Sequence, residues 1–320
     1  MGAFHSGSEF LKITRYNKNS VLSTFSLVSA RNMDGFCVTK AVLYEVTKRR
    51  QDPLHHHDFV QLWYVCSGEQ AQHIGGRDYT MQPGCMLLVP PVVDHYMSAA
   101  YPEDRNFEVI GLNFTGKFIT QRLGQAVWEM LFDLMYLYPL LPGRDLSALF
   151  LQFEGEEQRE MNHLFREIYR LYKEPQRQCP PEVQARLRRI FALVEKRFSG
   201  AVTLQQRGRF ARRRKVILGA ADYVESHYRQ VIRLEDVCAH VGLSANRFSQ
   251  LFRDVTGQTL MEYVNFIRIQ HARELMINTD WTEREIARQC GFHSDIYFGR
   301  VFREYTGCQP RIFRREYSRG

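Results

Sequence analysis

One seven-residue pattern occurs twice near the end of this 320-residue chain, and it restricts the fold of that region more than any other feature. Leu251-Phe252-Arg253-Asp254-Val255-Thr256-Gly257 returns fifty positions later as Val301-Phe302-Arg303-Glu304-Tyr305-Thr306-Gly307. Each copy closes a stretch with the layout of two short helices joined by a tight turn. In the first stretch Leu234, Val237, Cys238 and Val241 share a helical face, Gly242-Leu243-Ser244 supplies the turn, and Ser244 suits the N-cap of the next helix. Phe248, Leu251, Phe252 and Val255 then fall on one stripe, with Gly257 placed to end the helix. This leaves Asn246, Arg247, Ser249, Gln250 and Arg253 facing outward. A row of hydrogen-bonding and cationic side chains suits base edges and phosphates in a major groove, which is wide enough to admit a helix.

The second copy keeps the pattern and changes its outer face. Ile286, Ala287 and Cys290 predict the buried side of its first helix, Gly291-Phe292-His293-Ser294 the turn, and Phe298, Val301, Phe302 and Tyr305 the buried side of its second. Asp295, Ile296, Gly299, Arg300 and Arg303 remain outside. Glycines 242 and 291 are 49 positions apart, whereas the Thr-Gly ends are 50 apart, so the second turn is one residue longer. The two units span about 234–257 and 282–307. Between them Tyr263, Phe266, Ile267, Ile269, Ala272, Leu275 and Met276 predict one long helix from Leu260 to Ile277, with Arg268, Gln270 and Arg273 interspersed. Two reading helices facing one side of a duplex would enter successive major grooves, roughly 34 Å apart.

The run from Gly219 to Glu316 carries Ile286-Ala287, Gly291-Phe292, Tyr297-Phe298, Val301-Phe302-Arg303, Thr306-Gly307, Pro310 and Phe313-Arg314. It resembles the DNA-binding domain of the AraC/XylS family of bacterial transcription regulators. The resemblance implies double-stranded promoter DNA as partner, a small-molecule effector sensed elsewhere in the chain, a homodimer, and RNA polymerase as a further partner if the chain activates. Charge agrees with the first of these. Residues 206–320 hold 20 Lys and Arg against 13 Asp and Glu, while the whole chain holds 43 against 35, so nearly all the basic excess sits there. Cations that replace counterions condensed on phosphate leave this footprint. Just before the repeats, Gln205 to Lys215 contains Arg207, Arg209, Arg212, Arg213, Arg214 and Lys215 and reads as an interdomain linker. A solvated run and a phosphate contact beside the first unit are both open for it.

The first half of the chain has a different texture. Phe59–Val65, Tyr79–Met81, Met86–Val89 and Phe107–Phe114 read as strands separated by Ser67-Gly68, Gly75-Gly76-Arg77-Asp78 and Gln82-Pro83-Gly84. Many short strands at this spacing predict a small barrel or jelly roll. His55-x-His57-x3-Gln61 and Gly84-x5-Pro90-x4-His95 are similar to the two cupin motifs, the usual sensor of the AraC/XylS family. The fold class is therefore α+β: a cupin-like antiparallel barrel at 1–154, a helical dimerisation segment at 155–204, the linker at 205–215, and an all-α domain at 216–320 with two helix-turn-helix units on a long helix.

With period two, His55, His57, Phe59, Gln61, Trp63 and Val65 share a face of the barrel, and His95 reaches the same cavity. His55, His57, Gln61, Trp63, Tyr79 and His95 are the candidate effector contacts, with Tyr96 as a further aromatic of the lining. This set suits a sugar or another small polar metabolite through stacking and hydrogen bonds. The alternative is a metal-dependent cupin enzyme or metal sensor using His55, His57 and His95. Against it, the resemblance puts a glutamate where this chain has Gln61 and a glycine where it has Val92, and losing the carboxylate removes an anionic ligand. We therefore expect a regulator that is not an enzyme, with no metal and no cofactor.

The seven cysteines are scattered without a CxxC pair, which suggests neither a disulfide framework nor a zinc knuckle. No run is long enough for a membrane span and no signal peptide opens the chain, so the expectation is cytoplasmic. Phe118 to Tyr138 is largely apolar, and Leu149 to Phe153 reads as a returning strand. Two amphipathic helices follow, striped by Met161, Leu164, Phe165, Ile168, Tyr169 and Tyr172, and by Val183, Leu187, Ile190, Phe191, Val194 and Phe198. The spacing leaves open whether these stripes pack on their own domain or on a partner; the resemblance implies a dimer through them.

Overall fold

The computed structural model describes residues 23–25, 36–43, 55–57, 59–91, 93–98, 107–144, 149–172 and 179–317. The chain divides into two compact units, Met1–Val202 and Thr203–Gly320.

Among the described residues the first unit has ten strands: β1 (Ser23–Phe25), β2 (Phe36–Leu43), β3 (His55–His57), β4 (Val60–Ser67), β5 (Gln70–Ile74), β6 (Arg77–Met81), β7 (Cys85–Val89), β8 (His95–Ser98), β9 (Phe107–Phe114) and β10 (Phe150–Gln152). They form two five-stranded sheets, in the orders β1-β3-β8-β5-β6 and β10-β7-β4-β9-β2. Among the described strands the pairings are antiparallel, as expected of the barrel, apart from the short parallel pair β1 with β3. Val65, Leu87, Val89 and Val109 from one sheet meet Ile74 and Met81 from the other in a shared apolar cluster, so the sheets close face to face. Alternation decides which residues enter. On β5, Gln70, Gln72 and Ile74 are buried while Ala71 and His73 are not.

After β9 the chain runs through α1 (Gly116–Phe118) into a π-helical turn, Ile119–Leu123, then through α2 (Gln125–Phe132) into another, Asp133–Leu137. The apolar segment expected here is thus helical and buries Phe118, Ile119, Leu131, Leu134 and Leu137. α3 (Gly155–Leu171) and α4 (Pro181–Ala201) follow. Their apolar stripes are buried within this unit except for Tyr169, which is 41% exposed and so falls outside the stripe expected for α3. Phe165 stacks on Tyr64 of β4 at 4.5 Å, and Phe191 lies 5.7 Å from Phe114 of β9. α4 alone buries Val183, Leu187, Ile190, Phe191, Leu193, Val194 and Phe198. Each such side chain contributes about 1.5–3 kcal/mol on full burial. The ion pairs joining α3 to α4, Glu160 with Arg189 and Glu157 with Lys196, lie at the surface, where a pair contributes roughly 0.2–1 kcal/mol. Burial therefore holds these helices in place, and the faces they leave outward are charged.

The second unit is helical throughout its described length: α5 (Leu204–His227), α6 (Leu234–Val241), α7 (Ala245–Thr256), α8 (Leu260–Asn278), α9 (Glu283–Gln289), α10 (Asp295–Thr306) and α11 (Pro310–Tyr317). The two repeats become α6-turn-α7 and α9-turn-α10, and α8 is the long helix between them. The basic run 205–215, read above as the linker, forms the first half of α5. Thr203 caps that helix, accepting from the Gln206 amide while the Gln206 side chain accepts from the Thr203 amide. Arginine is moreover a good helix former, so a run of arginines does not interrupt a helix.

Buried cations pin the repeats to α8. Arg268, 7% exposed, donates from Nε to the Tyr228 carbonyl and from Nη2 to the Gln230 carbonyl, each at 2.8 Å, and lies over the Phe292 ring. Burial pulls its guanidinium below the usual arginine range. One residue thereby ties the end of α5 to the turn of the second repeat. Arg273 packs similarly over Phe313 of α11. Asn265 donates to the Tyr297 hydroxyl, and the Tyr305 hydroxyl donates to the Glu262 carbonyl. The two turns are not equivalent. Gly242 has φ +71° with open space around it, whereas Gly291, φ +80°, would place a Cβ 2.4 Å from the Tyr228 carbonyl oxygen.

Candidate functional site

The inward face of the barrel carries a buried polar group at one end. His57 (1% exposed), Gln61 (7%), His95 (1%) and Asn113 (2%) meet there. Nε2 of His57 and Nε2 of His95 each lie 3.2 Å from Gln61 Oε1, and the Gln61 amide reaches Asn113 at 3.0 Å. Strand pairing explains the convergence. Gln61 of β4 is in register with Asn113 of β9, and alternation turns both inward. His95 enters from the other sheet.

Proton placement follows from the partners. His95 Nδ1 lies 2.8 Å from the Val93 carbonyl, which can only accept, so this nitrogen carries hydrogen. A neutral His95 then presents a lone pair at Nε2 and needs a donor from Gln61. That is met when the Gln61 and Asn113 amides are turned so that each NH2 faces an acceptor. A protonated His95 instead donates to Gln61 Oε1 from Nε2. The Gln61 side chain thus joins His57 and His95 of one sheet to Asn113 of the other.

The second sheet adds a group that sequence reasoning missed. Gln70 and Gln72 are 1% and 2% exposed and point inward; Gln70 donates to Gln72 Oε1 at 3.0 Å, leaving Gln70 Oε1 unpartnered. Beside Gln72, in register, stands Tyr79, whose hydroxyl is likewise buried without a partner. Tyr79 lies 4.6 Å from the Phe150 ring, and it and Trp63 pack on the apolar cluster. The signal for Gln70 and Gln72 was their period-two spacing, but glutamines read as solvent-facing until the partner strands are known. Tyr96 is a correction. It pairs with His73 on the outer face, stacked at 4.5 Å, because alternation from the inward His95 turns it away from the cavity. His55 lies in β3 opposite His95, but its side chain is outside the described residues. Among the described residues no group of three His, Cys, Asp or Glu is arranged to hold a metal.

In the helical unit, Asn246, Arg247, Ser249, Gln250 and Arg253 of α7 and Asp295, Ile296, Arg300 and Arg303 of α10 are all exposed. Ile296 is 88% exposed at the start of α10, a position that offers no burial within this unit. Ser294 caps α10 through its side chain, whereas Ser244 precedes α7 without a side-chain cap. Gln250 donates to Asp254 at 2.7 Å, and Arg300 lies over the Tyr297 ring. A cavity of about 500 Å³ opens between α9, α10 and α11. Arg284, Arg300, Arg303 and Arg311 line it together with the carboxylates of Glu283 and Asp295. Arg311 was not legible as part of this surface, because only the return of α11 brings it beside α10.

Two family models match the chain in the same order as these units. Residues 42–191 match the one described as AraC-like ligand binding domain, and residues 237–316 the one described as helix-turn-helix domain. The chain belongs to the AraC/XylS family. Among its AraC/XylS relatives, regulatory protein PocR of Salmonella typhimurium is 39% identical over 97 residues, 30% of this chain and 32% of PocR. The melibiose operon regulatory protein of Escherichia coli is 33% identical over 93 residues, 29% and 31% respectively. The match thus spans about a third of the length of these relatives. Of solved structures, an apo ToxT variant from Vibrio cholerae aligns over 88% of this chain and 98% of its own, with a TM-score of 0.51 and 18% identity, a likeness of fold.

Proposed function

We propose that this AraC/XylS protein is a transcription regulator whose DNA binding is set by a small, uncharged, hydrogen-bonding effector, of which a sugar is the leading example, held in the barrel. The observation that carries this reading is the chemistry of the inward faces. Among the described residues of the first unit, the buried polar side chains facing inward are imidazoles, amides and a phenol, with no buried lysine or arginine to neutralise an anion. The unpartnered Gln70 Oε1 and Tyr79 hydroxyl offer an acceptor and a donor, and Trp63 and Tyr79 offer faces for stacking. On the other unit, Asn246, Arg247, Ser249, Gln250 and Arg253, with Asp295, Ile296, Arg300 and Arg303, are the residues we assign to DNA. Arg247, Gln250, Arg300 and Asn246 are the candidates for base edges.

The effector would act by changing how the sensor units pair or how α5 is held. A homodimer, which the family resemblance implies, forms in this reading through charged outer faces, since the stripes of α3 and α4 are, Tyr169 apart, already covered; sedimentation at micromolar concentration tests it.

The test of the function is a thermal-shift screen of the full chain against sugars, polyols, carboxylic acids and divalent metals, with DNA binding repeated for each hit. An effector at a hundred times its dissociation constant stabilises the folded state by about 2.7 kcal/mol. A neutral polyol that raises the melting temperature and alters DNA affinity, with both effects lost in Gln72→Ala, supports the reading. Hits confined to carboxylic acids or metals would overturn the assignment of a neutral effector.

A further inference from the structure

The first half of α5 is charged in a way the fold does not need. From position 196 to 221 the chain holds eight lysines and arginines and no aspartate or glutamate. Six of these cations stand on α5 within eleven residues. Arg209 lies three and four residues from Arg212 and Arg213, and Arg212 three from Lys215, so the helix carries like-charge neighbours on adjacent turns, which oppose helix formation. Arg209, Arg212, Arg213 and Lys215 have no anionic partner among the described residues, and Arg209, Arg212 and Lys215 are exposed. The helix is started by the Thr203–Gln206 capping box instead.

We infer that this half of α5 is a phosphate clamp for duplex DNA flanking the first helix-turn-helix, a contact separate from the two reading helices. The inference rests on the DNA-binding reading above. Three observations select the occupant. The far half of the same helix is fixed to the first repeat: Val241 at the end of α6 lies 3.6 Å from where a Cβ on Gly219 would stand, and Tyr223 lies 5.2 Å from His240. A rigid helix therefore carries the cations at a set place beside α7. Five of the six cations are arginines, whose planar fork matches phosphate. A lipid surface is disfavoured because Phe210 and Ile217 are 1% and 3% exposed, and Leu204 at the helix start, although exposed, is one side chain and makes no apolar face for a membrane.

The experiment measures binding of the full chain to a labelled 30-base-pair duplex of mixed sequence between 50 and 200 mM KCl. The variants are R209Q/R212Q/R213Q/K215Q and the charge-preserving R209K/R212K/R213K. Each phosphate contact contributes about 0.9 to the slope of log affinity on log salt, or about 3.5-fold in affinity over this fourfold range. The glutamine variant is expected to lose at least two such contacts, and the lysine variant to keep the wild-type slope. Should the quadruple variant lose helicity, R209Q/R213Q and R212Q/K215Q are each expected to give about half the flattening. A glutamine variant with the wild-type slope would overturn the clamp while leaving the reading helices intact. A wild-type chain that binds no duplex would overturn both.

Discussion

Gly291→Ala should damage the helical unit far more than Gly242→Ala, although the two glycines hold the same place in their repeats. Both stand at positive φ, +80° and +71°, where an L side chain costs roughly 1–2 kcal/mol. At Gly242 nothing lies within 4 Å of the added methyl, so the cost stops there. At Gly291 the methyl would sit 2.4 Å from the Tyr228 oxygen and 3.0 Å from that of Arg229, both main-chain atoms. The backbone must move, and overpacking of this kind costs about 1–3 kcal/mol more. The Tyr228 oxygen also accepts from the buried Arg268, so moving it strains that bond as well. The sum is about 2–5 kcal/mol for Gly291→Ala against about 1–2 for Gly242→Ala. For a unit of this size 1 kcal/mol corresponds to roughly 4 °C, so the melting temperatures should fall by about 8–20 °C and 4–8 °C. Calorimetry of the full chain, following the transition of the helical unit, measures both. Equal losses within 1 kcal/mol would refute the argument that the close approach of α5, rather than the turn itself, requires glycine at 291.

Further outcomes follow from the buried cation, the caps and the barrel. Arg268→Met should destabilise the helical unit by about 2–4 kcal/mol, because two carbonyls lose their donors; a neutral result in urea unfolding would mean that relief of the buried charge compensates. Glu262 and Glu285 have carboxyls held below the usual range by hydrogen bonds from Thr259 and Thr282. Their lowered folded values mean that this stability is complete above the unfolded value, near 4.5, and is lost as pH falls through the folded one. Glu285→Gln keeps the capping bonds and should remove its share of the acid sensitivity; an unchanged acid transition would contradict the assignment. Gln61→Glu puts a carboxylate within 3.2 Å of two imidazole nitrogens and should create stabilisation by Ni²⁺ that EDTA reverses, which a thermal-shift comparison with the wild type decides.

The helical repeats were legible in the sequence because their determinants are local. The apolar stripe of α7, the glycine ending it, the extra residue in the second turn and the length of α8 all follow from helical period and terminal residues, which act within a few positions of where they stand. Period two likewise placed Gln61 and Trp63 on one face of β4. The tertiary structure decided everything that depends on which elements meet. It turned Tyr96 outward and Gln70 and Gln72 inward, because a strand's inner face is defined only by the sheet opposite. Its packing covered the stripes of α3 and α4, brought Arg311 beside Arg303, and buried Arg268 against carbonyls forty residues away. Run 205–215 shows the division within one segment. Its charge was evident from composition, but that the arginines stand on a rigid helix joined to the first reading unit is settled by a cap at Thr203 and by packing at Gly219, neither of which the charges themselves encode.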